Sequence, residues 1–228
     1  MKLPGIQFEK EKLILMAEIM LLFFCFFLPA IYYTKPQQGT EDFNLALNMV
    51  QYITTSIPQL LLLMYIIWIK KEVVLKNFGI VLPRLNDLLL GIVLAATLFI
   101  FIFLLSLLLQ LIPEKNRNFI LPENPLIIQD KSNIFLVILF SLVTGYKEEL
   151  FFRSYLLTRL RQLGIRTLPA VITGSLLFAI LHLYEGLFGF LFAGIAAVYF
   201  SIIYIKTKSL NLIALSHAIF NAAMILLL

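Results

Sequence analysis

The sequence predicts an all-α membrane protein, a polytopic transmembrane helical bundle with about seven to eight spans. Of its 228 residues, 61% are hydrophobic and 14% are charged, whereas soluble domains are about 45–50% apolar and about 25% charged. The apolar residues form unbroken runs close to the ~20 residues that a helix needs to cross a bilayer. An outer-membrane barrel would alternate polar and apolar residues instead. This composition excludes a soluble globular domain, a disordered chain and a disulfide-rich secreted module.

Seven apolar segments approach the length of a transmembrane helix. The first follows a charged stretch and lacks a small-residue cleavage site, so we expect a retained span. The second has threonines and a proline at its middle, and the third is almost purely aliphatic and aromatic, which indicates exposure to lipid. The fourth passes through a charged cluster, and polar residues blur the ends of the last three. In order, the predicted spans are Leu13–Tyr33, Leu45–Ile69, Leu88–Ile112, Ile134–Leu160, Leu168–Leu183, Leu187–Ile205 and Leu212–Leu228.

The distribution of Lys and Arg predicts the orientation of these spans. Alternate loops carry twelve basic residues on one side of the membrane and four on the other. The positive-inside rule therefore places the N-terminus in the cytoplasm and, with seven spans, the C-terminus outside. A missed or re-entrant segment near Phe119–Ile128 would reverse the second half of this assignment. Because the loops are short, we expect a prokaryotic cell membrane.

The bulk properties also limit the domain organisation and the partners. We expect a single integral membrane domain over residues 1–228, because no linker or internal repeat separates two units. The net charge of +5 does not indicate a nucleic-acid partner, since the basic residues lie in short clusters between apolar runs. The lone Cys25 excludes an intramolecular disulfide. The expected partners are the lipid bilayer and a membrane-associated substrate.

Several polar residues interrupt the last four predicted spans. Each costs about 2.5 kcal/mol or more at the bilayer centre, so such residues usually face a protein interior or a water-filled cavity. They are Lys147, Glu148, Glu149, Arg153, His182, His217 and Asn221.

The spacing of these residues is helical. Glu149 and Arg153 are four residues apart, with the acid first, which is the favourable order for an ion pair within a helix. His217 and Asn221 are also four apart and so lie on one face of the last span.

Three helices bring polar groups to about the same depth. Glu148, His182 and Asn221 each lie roughly 20 Å along a helix from its cytoplasmic end, at about 1.5 Å per residue. A carboxylate in a poorly solvated cavity can accept a proton near neutral pH and act as a general base. The N–H groups of histidine and asparagine can stabilise an oxyanion. The set therefore contains the groups needed to hydrolyse an amide bond at an active site inside the bundle.

Three short motifs occur in this part of the chain. Glu148–Arg153 has the form E-E-x-x-x-R, Phe178–His182 the form F-x-x-x-H, and His217–Asn221 the form H-x-x-x-N. In this order they resemble the signature motifs of the CPBP family, the type II CAAX prenyl-proteases, glutamic intramembrane endopeptidases and bacteriocin-processing enzymes. The resemblance covers about residues 134–228, the motif-bearing catalytic core, with weaker similarity at Asn77–Ile80.

The resemblance implies a function and a role for each motif residue. The protein would be an intramembrane endopeptidase that hydrolyses a peptide bond in a membrane-associated or prenylated, CAAX-like protein or peptide. Glu148 would be the general base that activates water, and His182 would help to hold that water. His217 and Asn221 would form the oxyanion site. The resemblance also implies that no metal or other cofactor is needed.

Two positions near the first motif depart from the family pattern. Within the motif, the resemblance implies that Glu149 and Arg153 support the geometry of the active site. Lys147 precedes the motif where an uncharged residue is more usual, and Ser154 follows it where glycine is common. A lysine in the cavity would weaken Glu148 as a base. At about 100° per residue, Lys147 is expected to point elsewhere.

Other interpretations stay open at this point. Glu148, His182 and His217 could ligate zinc, although no H-E-x-x-H motif is present. The polar cluster could also hold helices together in a non-catalytic membrane scaffold or a bacteriocin self-immunity protein. A transporter is less favoured, because paired repeats and interrupted helices are not evident. We expect Glu18 and Glu185 to be incidental or interfacial.

Overall fold

Residues 4–33, 45–69, 75–111 and 133–227 are described in the computed structural model, and all their regular elements are helical. The helices are α1 (Pro4–Tyr33), α2 (Leu45–Ile69), α3 (Leu85–Gln110), α4 (Ile134–Glu149), α5 (Leu157–Gln162), α6 (Thr167–Ile180), α7 (Gly186–Thr207) and α8 (Leu210–Leu227). A π-helical turn (Leu150–Leu156) joins α4 directly to α5, and short 3₁₀ turns cover Leu75–Phe78 and Leu183–Glu185. The predicted all-α membrane bundle is confirmed.

Three stretches of the described chain are long and apolar enough to cross a membrane. They are Ala46–Ile69, Leu85–Leu108 and Leu183–Thr207, and α6 and α8 supply shorter apolar helices. The protein is therefore an integral membrane protein. The stretch Phe119–Ile128, which would add an eighth span or a re-entrant segment, lies outside the described residues.

The first helix begins earlier than its hydropathy predicts. We expected its start at Leu13, but α1 begins at Pro4, and proline is well tolerated in the first helical turn. The added turns carry charged side chains, and Lys12 Nζ lies 3.4 Å from Glu9 Oε1 one turn away. Hydropathy marks only the part of a helix that lies in hydrocarbon, whereas backbone hydrogen bonding continues through the charged residues.

The predicted fifth span is shorter than expected. It ends at Ile180 and not at Leu183, because the N–H groups of Leu181 and His182 donate to carbonyls three residues back, in a tightened turn. His182 therefore lies in the turn after α6 and not on the helix itself. With 14 residues, α6 is about 21 Å long. It starts beside Arg166 and ends within the bilayer thickness, where irregular backbone must be buried in protein or line a cavity.

The predicted fourth span is continuous but contains an irregular turn. All seven residues of Leu150–Leu156 are buried, and their backbone is π-helical. A π turn inserts an extra residue into a helix, and such turns are frequent at functional sites. Hydropathy does not distinguish it from an α-helix, because the apolar content is the same.

Helix α8 lies between α3 and α4, and α4 also packs against α2, while α6 packs against α7. The contact between α4 and α8 depends on Gly145. A Cβ at this position would lie 2.6 Å from the carbonyl oxygen of Ala214 and 3.0 Å from the nitrogen of Ala218. Only a residue without a side chain permits this approach, as in other membrane helix pairs with small residues at the interface.

The segment around Phe78 closes one end of the bundle. Phe78 is fully buried, and Gly79 adopts a φ of 65°, a left-handed conformation that glycine adopts without strain. The carbonyl of Gly79 accepts a hydrogen bond of 3.0 Å from the backbone nitrogen of Leu210. The segment around Phe78 therefore anchors the start of α8, which carries His217.

Candidate active site

The close approach of α4 and α8 places two carboxylates of α4 around one imidazole of α8. His217 Nδ1 lies 2.7 Å from Glu149 Oε1. On the other side of the ring, His217 Nε2 lies 3.6 Å from Glu148 Oε2. The first and third predicted motifs therefore meet in space.

Glu149 is held by a buried cation as well as by the histidine. Arg153 Nη1 lies 3.1 Å from Glu149 Oε1, and the two side chains are 1% and 0% exposed. This is the ion pair that the four-residue spacing predicts. The guanidinium also lies over the ring of Phe178, 4.5 Å from its centroid, a cation–π geometry. Glu149 therefore accepts a hydrogen bond from the imidazole and forms an ion pair with Arg153, and these two contacts orient the ring.

The hydrogen bond to Glu149 determines which ring nitrogen of His217 carries the proton. A carboxylate paired with Arg153 only accepts hydrogen bonds, so Nδ1 of His217 must donate. In the neutral ring Nε2 is then an acceptor, and it faces Glu148. The 3.6 Å separation is too long for a direct hydrogen bond.

His182 approaches this group from the turn after α6. Its Nδ1 lies 3.0 Å from the carbonyl oxygen of Phe178, so Nδ1 donates and Nε2 of the neutral ring is left as an acceptor. The ring of Phe178 lies 4.6 Å from His182 and 6.2 Å from His217. Phe178 is thus the spacer between the two imidazoles, which explains the F-x-x-x-H spacing in physical terms.

Asn221 lies one turn beyond His217 on α8. It is half-buried, and its side chain makes no hydrogen bond to any residue in the described part of the chain. Its amide N–H groups are therefore available to a ligand. The His217 ring itself stacks on Phe200, with centroids 5.6 Å apart and planes inclined by 13°.

Lys147 points away from His217. Its Nζ lies 3.3 Å from Ser56 Oγ on α2 and 4.7 Å from the centroid of the Tyr52 ring. A second ring, that of Phe27, lies 5.3 Å away. The departure at Lys147 therefore joins α4 to α1 and α2 and leaves the Glu148–His217 contact intact.

Ser154, the second departure, is also accounted for by its contacts. Its hydroxyl is fully buried and donates to the carbonyl oxygen of Phe78. A glycine here could not make this bond. The serine therefore ties the π turn to the segment that anchors α8.

Our sequence-based interpretation missed a polar cluster formed by Glu18, Tyr155 and Arg159. We expected Glu18 to be incidental or interfacial. Glu18 is not incidental, because Tyr155 donates a 2.6 Å hydrogen bond to Glu18 Oε1. Arg159, close to the end of the predicted fourth span, is also buried, with Nη2 3.8 Å from Glu18 Oε1. The available signal was the single carboxylate inside the first apolar run.

Glu185 lies close to the start of α7. A Cβ at Gly189 would lie 2.9 Å from Glu185 Oε2, so this half-buried side chain folds back over the first turn of the helix. This contact assigns Glu185 no chemical role.

The donor set was also compared with the requirements of a metal. Among the residues described here, no group of three or more His, Cys, Asp or Glu side chains is arranged to hold an ion. The zinc alternative at Glu148, His182 and His217 would require these side chains to converge further than they do.

Comparison with known families agrees with the motif analysis. Residues 130–223 match the family model of type II CAAX prenyl endopeptidases, described as Rce1-like. The match includes all three motifs and the π turn between α4 and α5, but not α1, α2 or α3. Neither a curated protein nor a solved structure matches the chain.

Proposed function

We propose, from the premise that residues 130–223 belong to the type II CAAX prenyl endopeptidase family, that this membrane protein hydrolyses peptide bonds by Glu148-activated water. The substrate would be a membrane-associated or prenylated, CAAX-like protein or peptide. The reaction would take place inside the bundle, at the level where α4 and α8 meet.

One observation carries the proposal: Glu148 faces the free nitrogen of an imidazole that is already fixed on its other side. Glu149 orients His217 at 2.7 Å, and Arg153 holds Glu149 at 3.1 Å. Three of these four side chains are nearly inaccessible, and Glu148 is the more exposed member at 15%. A reactive carboxylate must reach substrate, whereas the groups that position it need not, so this division favours Glu148 as the base.

In the first step, Glu148 takes a proton from a water molecule as the water oxygen attacks the carbonyl carbon of the substrate. His182 Nε2 accepts a hydrogen bond from the second water hydrogen and helps to orient it. The carbonyl oxygen becomes an oxyanion, which the amide of Asn221 stabilises by donating a hydrogen bond. His217 Nε2 donates as well when the ring is protonated at both nitrogens.

In the second step, the tetrahedral intermediate collapses. The carbon–nitrogen bond breaks, and Glu148 returns its proton to the departing amine nitrogen. The hydroxyl group of the water stays on the acyl carbon, and the proton that Glu148 took from the water ends on the amine. The reaction is therefore a simple hydrolysis.

The direct test is Glu148→Gln, which keeps the shape of the side chain and removes the base. We expect cleavage of a membrane peptide probe to fall by at least ~100-fold, the lower end of what general base catalysis contributes, with expression and folding unchanged. Glu9→Gln, which removes an exposed carboxylate from α1, is the control and should be fully active. The measurement is product formation by purified protein in nanodiscs, followed by mass spectrometry.

The same assay separates the open alternatives. Full activity of Glu148→Gln would contradict the proposed mechanism. Reversible inactivation by a chelator, with recovery on adding zinc, would favour a zinc site at Glu148, His182 and His217. If Glu148→Gln retains the biological phenotype of the wild type in cells, the non-catalytic scaffold or self-immunity function is favoured.

A further inference from the structure

We propose that Glu18 on α1 is a positioning residue for this site. Through its contacts with Tyr155 of the π turn and Arg159 of α5, it would fix the position of the π turn, which carries Arg153. The activity readout of this inference rests on the proposed function. Glu18 lies outside the part of the chain that matches the family, so the motifs alone do not reveal it.

The contact between Glu18 and the catalytic part of the chain is polar and shielded. Tyr155 Oη donates to Glu18 Oε1 at 2.6 Å, and Arg159 Nη2 lies 3.8 Å from the same oxygen, with the arginine 5% and the glutamate 18% exposed. The Arg159 guanidinium also lies over the Tyr155 ring, 5.3 Å from its centroid. One carboxylate oxygen therefore fixes both side chains.

The π turn also contacts a second segment that precedes the family match, the segment around Phe78. Ser154 donates to the carbonyl oxygen of Phe78, and Arg159 lies over the Phe78 ring at 5.4 Å. Two consecutive residues, Ser154 and Tyr155, are thus bonded to two different segments, the 75–80 turn and α1. These contacts therefore fix the π turn from two directions.

Aromatic packing brings α1 into register with the turn. The Phe27 ring lies 4.9 Å from the Phe151 ring and 5.0 Å from the Phe152 ring. Phe152 in turn meets Phe178 edge-on at 5.1 Å. The apolar contacts supply adhesion between α1 and the turn, while the Glu18 contact determines where along α1 the turn sits.

The anchored turn bears directly on the site. Arg153 immediately precedes Ser154 and Tyr155, and it holds Glu149, which orients His217. A shift of the turn would therefore move the guanidinium and release the imidazole from Glu149. Removing one partner of a buried ion pair also lowers stability, so the geometry of the site must be measured in the folded protein, separately from the folded fraction.

The activity test compares Glu18→Ala, Glu18→Gln and Tyr155→Phe in the full-length protein in nanodiscs. The probe is an internally quenched, farnesylated peptide that ends in a CAAX sequence. We expect kcat to fall about 10-fold or more in Glu18→Ala and Tyr155→Phe, since small displacements of catalytic groups reduce rates steeply, while KM stays unchanged. Glu18→Gln should retain most of the activity, because its amide oxygen still accepts from Tyr155. Glu9→Gln is the matched control on the same helix.

A second measurement does not depend on catalysis. The chain contains only two histidines, so selective ¹⁵N-histidine labelling gives two imidazole spin systems, and a His182→Gln sample assigns them. We expect Glu18→Ala and Tyr155→Phe to change the Nδ1–H signal of His217 and to leave that of His182 in place. A purely structural role would lower the folded fraction without changing the His217 signal of the folded protein.

The outcomes separate this inference from the proposed function. If the wild type does not cleave the probe, the proposed function fails for that substrate, and the imidazole spectra still decide the role of Glu18. Unchanged kcat together with an unchanged His217 signal in Tyr155→Phe would overturn the positioning role. If the double variant Glu18→Ala, Tyr155→Phe lowers kcat no further than either single variant does, the result would support a single shared path.

Discussion

At the scale of single residues, the two adjacent glutamates of α4 have opposite environments. Glu149 is fully buried and bonded to Arg153 and His217. Glu148 is partly accessible, and its Oε2 lies 3.6 Å from the imidazole nitrogen Nε2 of His217. One residue along a helix rotates a side chain by about 100°, which is why neighbours in sequence differ so strongly in burial.

This difference predicts different effects on stability. Glu149→Gln leaves the Arg153 guanidinium buried without its counter-charge, which should cost about 3–5 kcal/mol of unfolding free energy. Glu148→Gln breaks no buried ion pair and should change stability by much less. Thermal unfolding of both variants in the same detergent, followed by the loss of the monomeric peak in size-exclusion chromatography, measures the contrast. Equal melting temperatures of the two variants would contradict the assigned roles.

At the scale of helices, the site depends on how closely α4 and α8 approach. The Gly145 contact lies one turn before Glu148 and Glu149, and it sets the distance at which they meet His217. Further polar links of α8 lie near its start, where Asn211 donates to the carbonyl of Val81 at 2.8 Å and accepts from Tyr146 at 3.0 Å. The position of α8 therefore depends both on the close contact at Gly145 and on hydrogen bonds near the start of the helix.

Gly145→Ala tests this geometry. The added Cβ would lie 2.6 Å from the Ala214 carbonyl oxygen, so the two helices must separate, and we expect the peptidase activity to fall at least tenfold as the reacting groups move apart. Gly174→Ala on α6 is the control, because its Cβ would meet its nearest neighbour at an ordinary 3.7 Å. That variant should be as active as the wild type and equal or higher in stability, since alanine favours a helix by up to about 1 kcal/mol over glycine. Normal activity of Gly145→Ala would show that the close approach is not required.

At the scale of the whole molecule, the motif-bearing part of the chain and the helices before it are joined by several contacts. The family match begins at residue 130. Lys147 nevertheless donates a hydrogen bond to Ser56 on α2, Tyr155 donates one to Glu18 on α1, and α3 packs along α8. The first three helices therefore complete the surroundings of the site, even though they carry none of its motifs.

The orientation of the protein in the membrane is a prediction from the loop charges. In a background with Cys25 replaced by alanine, Glu9→Cys and Lys208→Cys should react with a membrane-impermeant maleimide in inverted vesicles and not in intact cells. Both positions are then cytoplasmic, as seven spans and the positive-inside rule require. Labelling of Glu9→Cys in intact cells would reverse the N-terminal assignment. Labelling of the two positions from opposite sides would indicate an additional crossing between them.

By itself, the sequence determined the membrane bundle, the approximate spans, the Glu149–Arg153 pair and the residues of the three motifs. The bundle, the spans and the ion pair follow from composition and helical periodicity, and the motifs follow from a resemblance between short stretches of sequence, so all of them rest on local properties. Only the tertiary structure decided that His217 lies between Glu148 and Glu149, that Lys147 points to α2, and that Glu18 binds Tyr155 and Arg159. Such contacts join residues far apart in the chain, and they depend on the rotation and separation of packed helices. The π turn also escaped prediction, because a shift from α- to π-hydrogen bonding leaves no trace in hydropathy and is stabilised by contacts on both of its sides.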